Sequence, residues 1–141
     1  MSNPRLSVNT DGIGFEAVTV KIDNATITYD VTKPNGTAQA GLAVTLSADD
    51  TVALAGDGEH VFGKLLSVSD DNMAAVQTGG FMTLPAGTGA ALTLGKAIVG
   101  DLLATAPGYV REVNTATVAE LGVQNGAIVN AADTTAVIVK L

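Results

Sequence analysis

The sequence predicts an all-β fold: a single compact β-barrel or β-sandwich, jelly-roll-like, over residues 15–141, behind a short extended N-terminal arm at 1–14. Three observations carry that expectation. Short segments of alternating apolar and polar character recur roughly every 8–12 residues with turn residues between them, the spacing of sandwiches and barrels. Val and Thr, which suit a pleated and half-buried surface, fill those segments. The apolar fraction is 47% but aromatics are only 4%, so the core is aliphatic. At 141 residues one domain can bury roughly two-thirds of the unfolded chain's surface.

Taken in order, residues 1–14 are polar and turn-rich, ending in Asp11-Gly12-Ile13-Gly14, and read as an arm that orders on a partner or frays. Period-2 alternation begins after Phe15 and runs through 17–22. Asp23-Asn24 reads as a turn and 25–31 as the returning strand of a hairpin, with Ile27, Tyr29 and Val31 on one face and Tyr29 turned to the core. Lys33-Pro34-Asn35-Gly36 is a second turn. Residues 42–47 are a third strand, and 51–54 form a short segment between acidic and glycine turns where a turn or two of helix at most would fit.

The stretch 63–85 is the most structured in pattern. It reads as two β-segments around Asp70-Asp71-Asn72, within strands 60–69 and 73–78. A Gly79-Gly80 break follows, taken as a bulge or a barrel-closing bend, then a short strand at 81–84 and a stop at Pro85. Residues 87–92 are a small-residue loop. Later strands fall at 98–99, 109–113, 127–129 and 136–141, with a helical turn at 117–121 and Asn125-Gly126 as a turn.

Composition excludes several functions. There is no cysteine, hence no disulfide, thiolate zinc site or cysteine nucleophile. A net charge of −7 and a pI near 4.3 oppose nucleic-acid binding, which needs a basic patch. No run approaches the ~20 apolar residues of a spanning helix. No secretory signal follows Met1-Ser2-Asn3-Pro4-Arg5, so the expected site of synthesis is the cytoplasm. Charged residues make up 15%, against ~25% in an average domain, and mean hydropathy is +0.36. Such a surface predicts burial against subunits or partners.

No constellation carries catalysis. His60, the only histidine, lies beside Glu59 and could act as a general base only with an aligned nucleophile and an orienting group. No G-x-S-x-G elbow is present, and the expected place of His60 is a strand start at the surface or an interface. Asp49-Asp50, Asp57 with Glu59, and Asp70-Asp71-Asn72 are oxygen-rich, but none has the spacing of a calcium loop, and solvated turns are expected. Gly87-Thr88-Gly89 lacks the Lys-Ser/Thr pair of a phosphate-cradling loop. Arg111 reads as solvent-exposed or as an anchor for an interface salt bridge. No catalytic residue, metal or cofactor is therefore assigned.

Residues 63–141 resemble the capsid decoration (cement) proteins of tailed bacteriophages. The likeness rests on Gly63-x-Leu65-x-Ser67-Val68-x-Asp70-Asp71, on Ala75-Val76-Gln77-Thr78-Gly79-Gly80, and on Leu84-Pro85 before a small-residue loop. Gly95-Lys96, Val99-Gly100-Asp101 and the closing segment 126–139 complete it. The resemblance implies a non-enzymatic virion protein on the exterior of the mature head, a homodimer or homotrimer. It would bind where major capsid subunits meet and stabilise the expanded shell. The expected contacts are Asn3, Pro4, Arg5, Leu6 and Val8 in the arm and Gly87, Thr88, Gly89 and Ala90 in the loop. Partners are the major capsid protein and further copies of this chain, with no nucleic acid and no membrane. The alternative is a receptor- or glycan-binding module of a virion fibre or cell surface, which would favour exposed aromatics and a metal site.

Overall fold

A computed structural model describes residues 12–141 of the chain; the arm residues Asn3, Pro4, Arg5, Leu6 and Val8 lie outside the described part. The strands are β1 (Glu16–Ile22), β2 (Ala43–Ala48), β3 (Thr51–Leu54), β4 (Gly63–Val68), β5 (Met73–Gly79), β6 (Phe81–Pro85), β7 (Ile98–Leu103), β8 (Ala106–Glu112), β9 (Ala127–Asn130) and β10 (Ala136–Lys140). Among the described residues one short α-helix, α1 (Val118–Val123), lies between β8 and β9, and a 3-10 turn at Pro34–Gly36 lies between β1 and β2. The expected all-β fold is present, with a barrel at its centre. β1 to β5 close that barrel in the order β1-β3-β2-β4-β5, β6, β10 and β9 form a second sheet, and β7 and β8 form a hairpin.

Two aliphatic cores result. Ile22, Ile27, Val44, Val52, Leu65 and Val76 fill the barrel. Met82, Leu84, Ile98, Val110, Ile128 and Val139 fill the space between the second sheet and the hairpin, joined by Ala43, Ala55 and Val61 from the barrel side. The strands alternate as period-2 burial requires: β6 and β10 each bury every second residue. The Asp70–Asn72 turn forms as its composition predicts. Asn72 takes φ 61°, and the Asp71 carboxylate accepts from the Ser69 hydroxyl and from the Met73 amide.

Residues 25–31 are not a strand, which corrects the expected hairpin. The Asp23 carboxylate accepts hydrogen bonds from the backbone amides of Ala25, Thr26 and Ile27 and from the Thr26 hydroxyl. It thereby takes donors that a ladder would use. Ile27 is fully buried by this compact turn, while Tyr29 and Val31 are exposed. The ring of Tyr29 therefore does not face the core. β1 pairs instead with β5, antiparallel, and with β3 through a short parallel register, Lys21 to Thr51 and Ile22 to Val52.

Residues 51–54 are strand rather than helix. Asp50 at φ 52° turns the chain back so that β3 pairs antiparallel with β2. β4 starts at Gly63, later than expected, because 60–62 run irregularly into the barrel. The Gly79-Gly80 break does not close the barrel but leads the chain out of it into the second sheet. Gly80 has φ +86°, and a Cβ there would stand 2.4 Å from the carbonyl oxygen of Gly14. The last residues of the expected arm are stitched to the same corner: Gly12 N–H donates to Phe81 O (2.9 Å) and Phe81 N–H to Ile13 O (2.8 Å).

Candidate interaction surface

Between β6 and β7, residues 87–97 cross the face of the β7–β8 hairpin without forming a strand. The crossing is fixed by hydrogen bonds. Gly87 N–H donates to Val110 O (3.1 Å), Thr88 N–H to Leu102 O (2.8 Å) and Glu112 N–H to Ala91 O (3.0 Å). The Thr88 hydroxyl accepts from the amide of Ala104 at 2.6 Å. Gly87 is required by close approach, because a Cβ would lie 2.3 Å from Asp101 Oδ2 and 2.7 Å from Leu102 O. Of the loop residues singled out from sequence, Thr88 and Gly89 are exposed, whereas Gly87 and Ala90 are half-buried.

The continuation, residues 92–97, separates two shallow grooves. Leu92, Leu94, Val129, Asn130, Ala131 and Ala132 line the first. Ala97, Val113, Leu121, Gln124 and Asn125 line much of the second, in which Lys96 is the one charged residue. The apolar side chains here are not hidden. Leu94 is 66% exposed and Val118 83%, and Leu121 and Val129 are also open to solvent. Gly95 N–H donates to Ile128 O and Ile128 N–H to Lys96 O, both at 2.8 Å. This pairing fixes Leu94 beside Val129.

Arg111 of β8 centres an ionic cluster. Its guanidinium forms a two-pronged pair with Glu120 of α1, through Nη1 to Oε2 at 3.0 Å and Nη2 to Oε1. It also reaches Asp57 Oδ1 at 3.1 Å and lies 3.9 Å from Asp101 Oδ1. Glu120 accepts a further bond from the Asn114 amide at 2.8 Å. These bonds, Arg111 first and Asn114 in support, outweigh burial and hold the Glu120 carboxyl below the usual carboxylate range. Reciprocally, the Glu120 bond raises the guanidinium further, against the opposing effect of burial. Arg111 thus turns inward, to partners within the chain, rather than to solvent. Asp101 Oδ2 and Glu112 Oε2 are buried close by without a hydrogen-bond partner.

His60 serves a structural contact. Its Nδ1 lies 3.0 Å from the carbonyl of Val123, so Nδ1 carries the proton and the ring ties the start of the 60–62 segment to the end of α1. The acidic turns likewise bond to their own surroundings: Glu59 accepts from Gly56 N–H at 2.7 Å, and Asp57 pairs with Arg111. Among the described residues no group of three or more His, Asp or Glu side chains is arranged to hold a metal. No family model matches the chain, and none of the curated proteins compared with it does.

The sequence missed the Arg111–Glu120–Asp57 cluster and the exposure of Leu94, Val118 and Val129. Asp57 is 54 residues and Glu120 nine residues from Arg111, so no local pattern joins them. The one available signal was that a chain poor in charge carries an arginine among strand residues.

Proposed function

We propose that this chain is a structural protein of the tailed-phage head, binding the outer surface of the expanded shell between major capsid subunits. The observation that carries the reading is the charge-poor apolar surface around residues 92–97, where Leu94 and Val129 are exposed beside grooves with a single charge. Such a surface fits burial against a partner, since interface cores are depleted in charge. Its hydrogen-bonded backbone lowers the ordering cost of docking. Contacts repeated over a lattice of shell subunits add avidity to individually weak docking. Preferential binding to the expanded shell would stabilise that state by mass action.

Co-sedimentation with expanded, undecorated heads and with unexpanded procapsids tests the reading. Saturable binding to the expanded shell, at a fixed ratio to the capsid subunit, is the expected result. Binding to neither shell overturns it and turns the search to glycans and receptors.

A further inference from the structure

α1 is built in reverse of an ordinary surface helix. Its one buried residue is Glu120, while Val118 and Leu121 face solvent. No residue of α1 joins either apolar core. Six residues are too few for a helix to persist alone in water, and Thr117 supplies no side-chain cap. The attachments are polar: the Arg111–Glu120 pair, Asn114 N–H to Glu120 Oε2, and His60 Nδ1–H to Val123 O. The segment ends at Asn125, which is anchored separately: its amide bonds to Ile98 O (3.1 Å) and its side chain to Val61 O (3.0 Å).

We propose that residues 114–124 form a strap closed by the Arg111–Glu120 clasp, which opens as a unit while the barrel and the second sheet stay folded. The clasp is the point of control because it supplies the strap's buried contact. Neither neighbouring core includes a residue of α1. The groups facing Glu120 are Arg111 from β8 and, across that guanidinium, Asp57 from the β3–β4 connection and Asp101 from β7. Glu112 contributes its carbonyl, which accepts from Arg111 Nη1 at 3.1 Å. One cation thus serves three carboxylates, which without it would repel one another. Val113 and Thr115, at the strap's root, line the groove that holds Lys96 and a neighbouring one bounded by Gly89, Ala91, Arg111 and Glu112, so opening redraws the surface beside residues 92–97. The inference does not depend on what that surface binds.

Hydrogen exchange read by mass spectrometry or NMR tests it, with the amides of Asn114, Leu121 and Gln124 as reporters. In the wild type at neutral pH these amides exchange faster than those of β4 and β5, by local opening. Glu120→Gln speeds them about 10- to 100-fold, the scale of losing charge-assisted bonds, and leaves β4 and β5 unchanged. Exchange of the strap at the same rate as β4 and β5, in wild type and variant alike, overturns the proposal. If Glu120→Gln does not fold, that outcome also counts against a detachable strap. Acidification of the wild type then gives an independent reading, since protonating Glu120 must release the strap amides before those of β5.

Discussion

Gly100 in β7 lies against the backbone of residues 55–56. A Cβ at that position would stand 2.2 Å from the carbonyl oxygen of Gly56 and 3.1 Å from Ala55 Cβ. A carbon and an oxygen need roughly 3.2 Å, so Gly100→Ala forces the strand and the connection apart by about 1 Å. Two hydrogen bonds flank the contact, Gly58 N–H to Gly100 O (2.9 Å) and Gly100 N–H to Glu59 O (2.8 Å). Overpacking costs about 1–3 kcal/mol, and weakening the two bonds adds about 1 kcal/mol. The expected loss is therefore about 2–4 kcal/mol, or roughly 6–12 °C in Tm for a chain of this size. Thermal and urea denaturation followed by far-UV circular dichroism measures it. Gly122→Ala is the control, because a Cβ there meets nothing within 4 Å and alanine favours the helix by up to about 1 kcal/mol. A Gly100→Ala loss below about 1 kcal/mol, or an equal loss at Gly122, would refute the reasoning.

Ile98→Ala, at a fully buried position of the second core, is expected to lose about 2–5 kcal/mol in denaturant unfolding. Asp23→Ala removes the acceptor of three backbone amides and should lose about 1–3 kcal/mol, with Ile27 loosened in NMR spectra. Asp23 is partly buried, which opposes ionisation, but the Thr26, Ile27 and Ala25 bonds hold its carboxyl below the usual range; Glu120 is held low by Arg111. Both lowered groups add stability that is complete above the unfolded carboxylate value near 4 and lost as pH falls through the lower native values. Tm should therefore be flat from about pH 7 to 5 and drop below about pH 4, a drop that Glu120→Gln reduces. Leu94→Asp combined with Val129→Asp should abolish binding to expanded heads while changing stability by less than about 1 kcal/mol.

The strands were legible in the sequence wherever apolar and polar residues alternate and turn residues bracket the run, as at 17–22, 73–78, 81–84 and 136–141. Legibility failed where a side chain competes with the ladder. Residues 25–31 alternate as well as any strand, but nothing in alternation reveals that Asp23 captures three of their amides. It failed again at 51–54, where alanine and leucine fit helix or strand and only the pairing with β2 decides. The loop at 87–90 was visible from its small residues, and Gly87 is glycine because of Asp101, a residue distant in sequence. The apolar surface at Leu94 and Val129 was foreshadowed only in bulk, by hydropathy and low charge. Its position depends on backbone pairing between residues 95–96 and β9, which has no sequence signature.

The barrel draws all five of its strands from residues 16–79, without interruption, whereas β10 pairs with β6 and Leu141 N–H donates to Gly80 O. On the ribosome these two halves become available at different times. The barrel's partners are complete once β5 has left the exit tunnel, but β6 waits until β10 has emerged. Until then Met82 and Leu84, both fully buried in the finished protein, lack Val137 and Val139, the β10 share of their core. A chain stalled before β10 would thus display a formed barrel beside a second sheet without its central strand, the species on which chaperones and neighbouring nascent chains would act first.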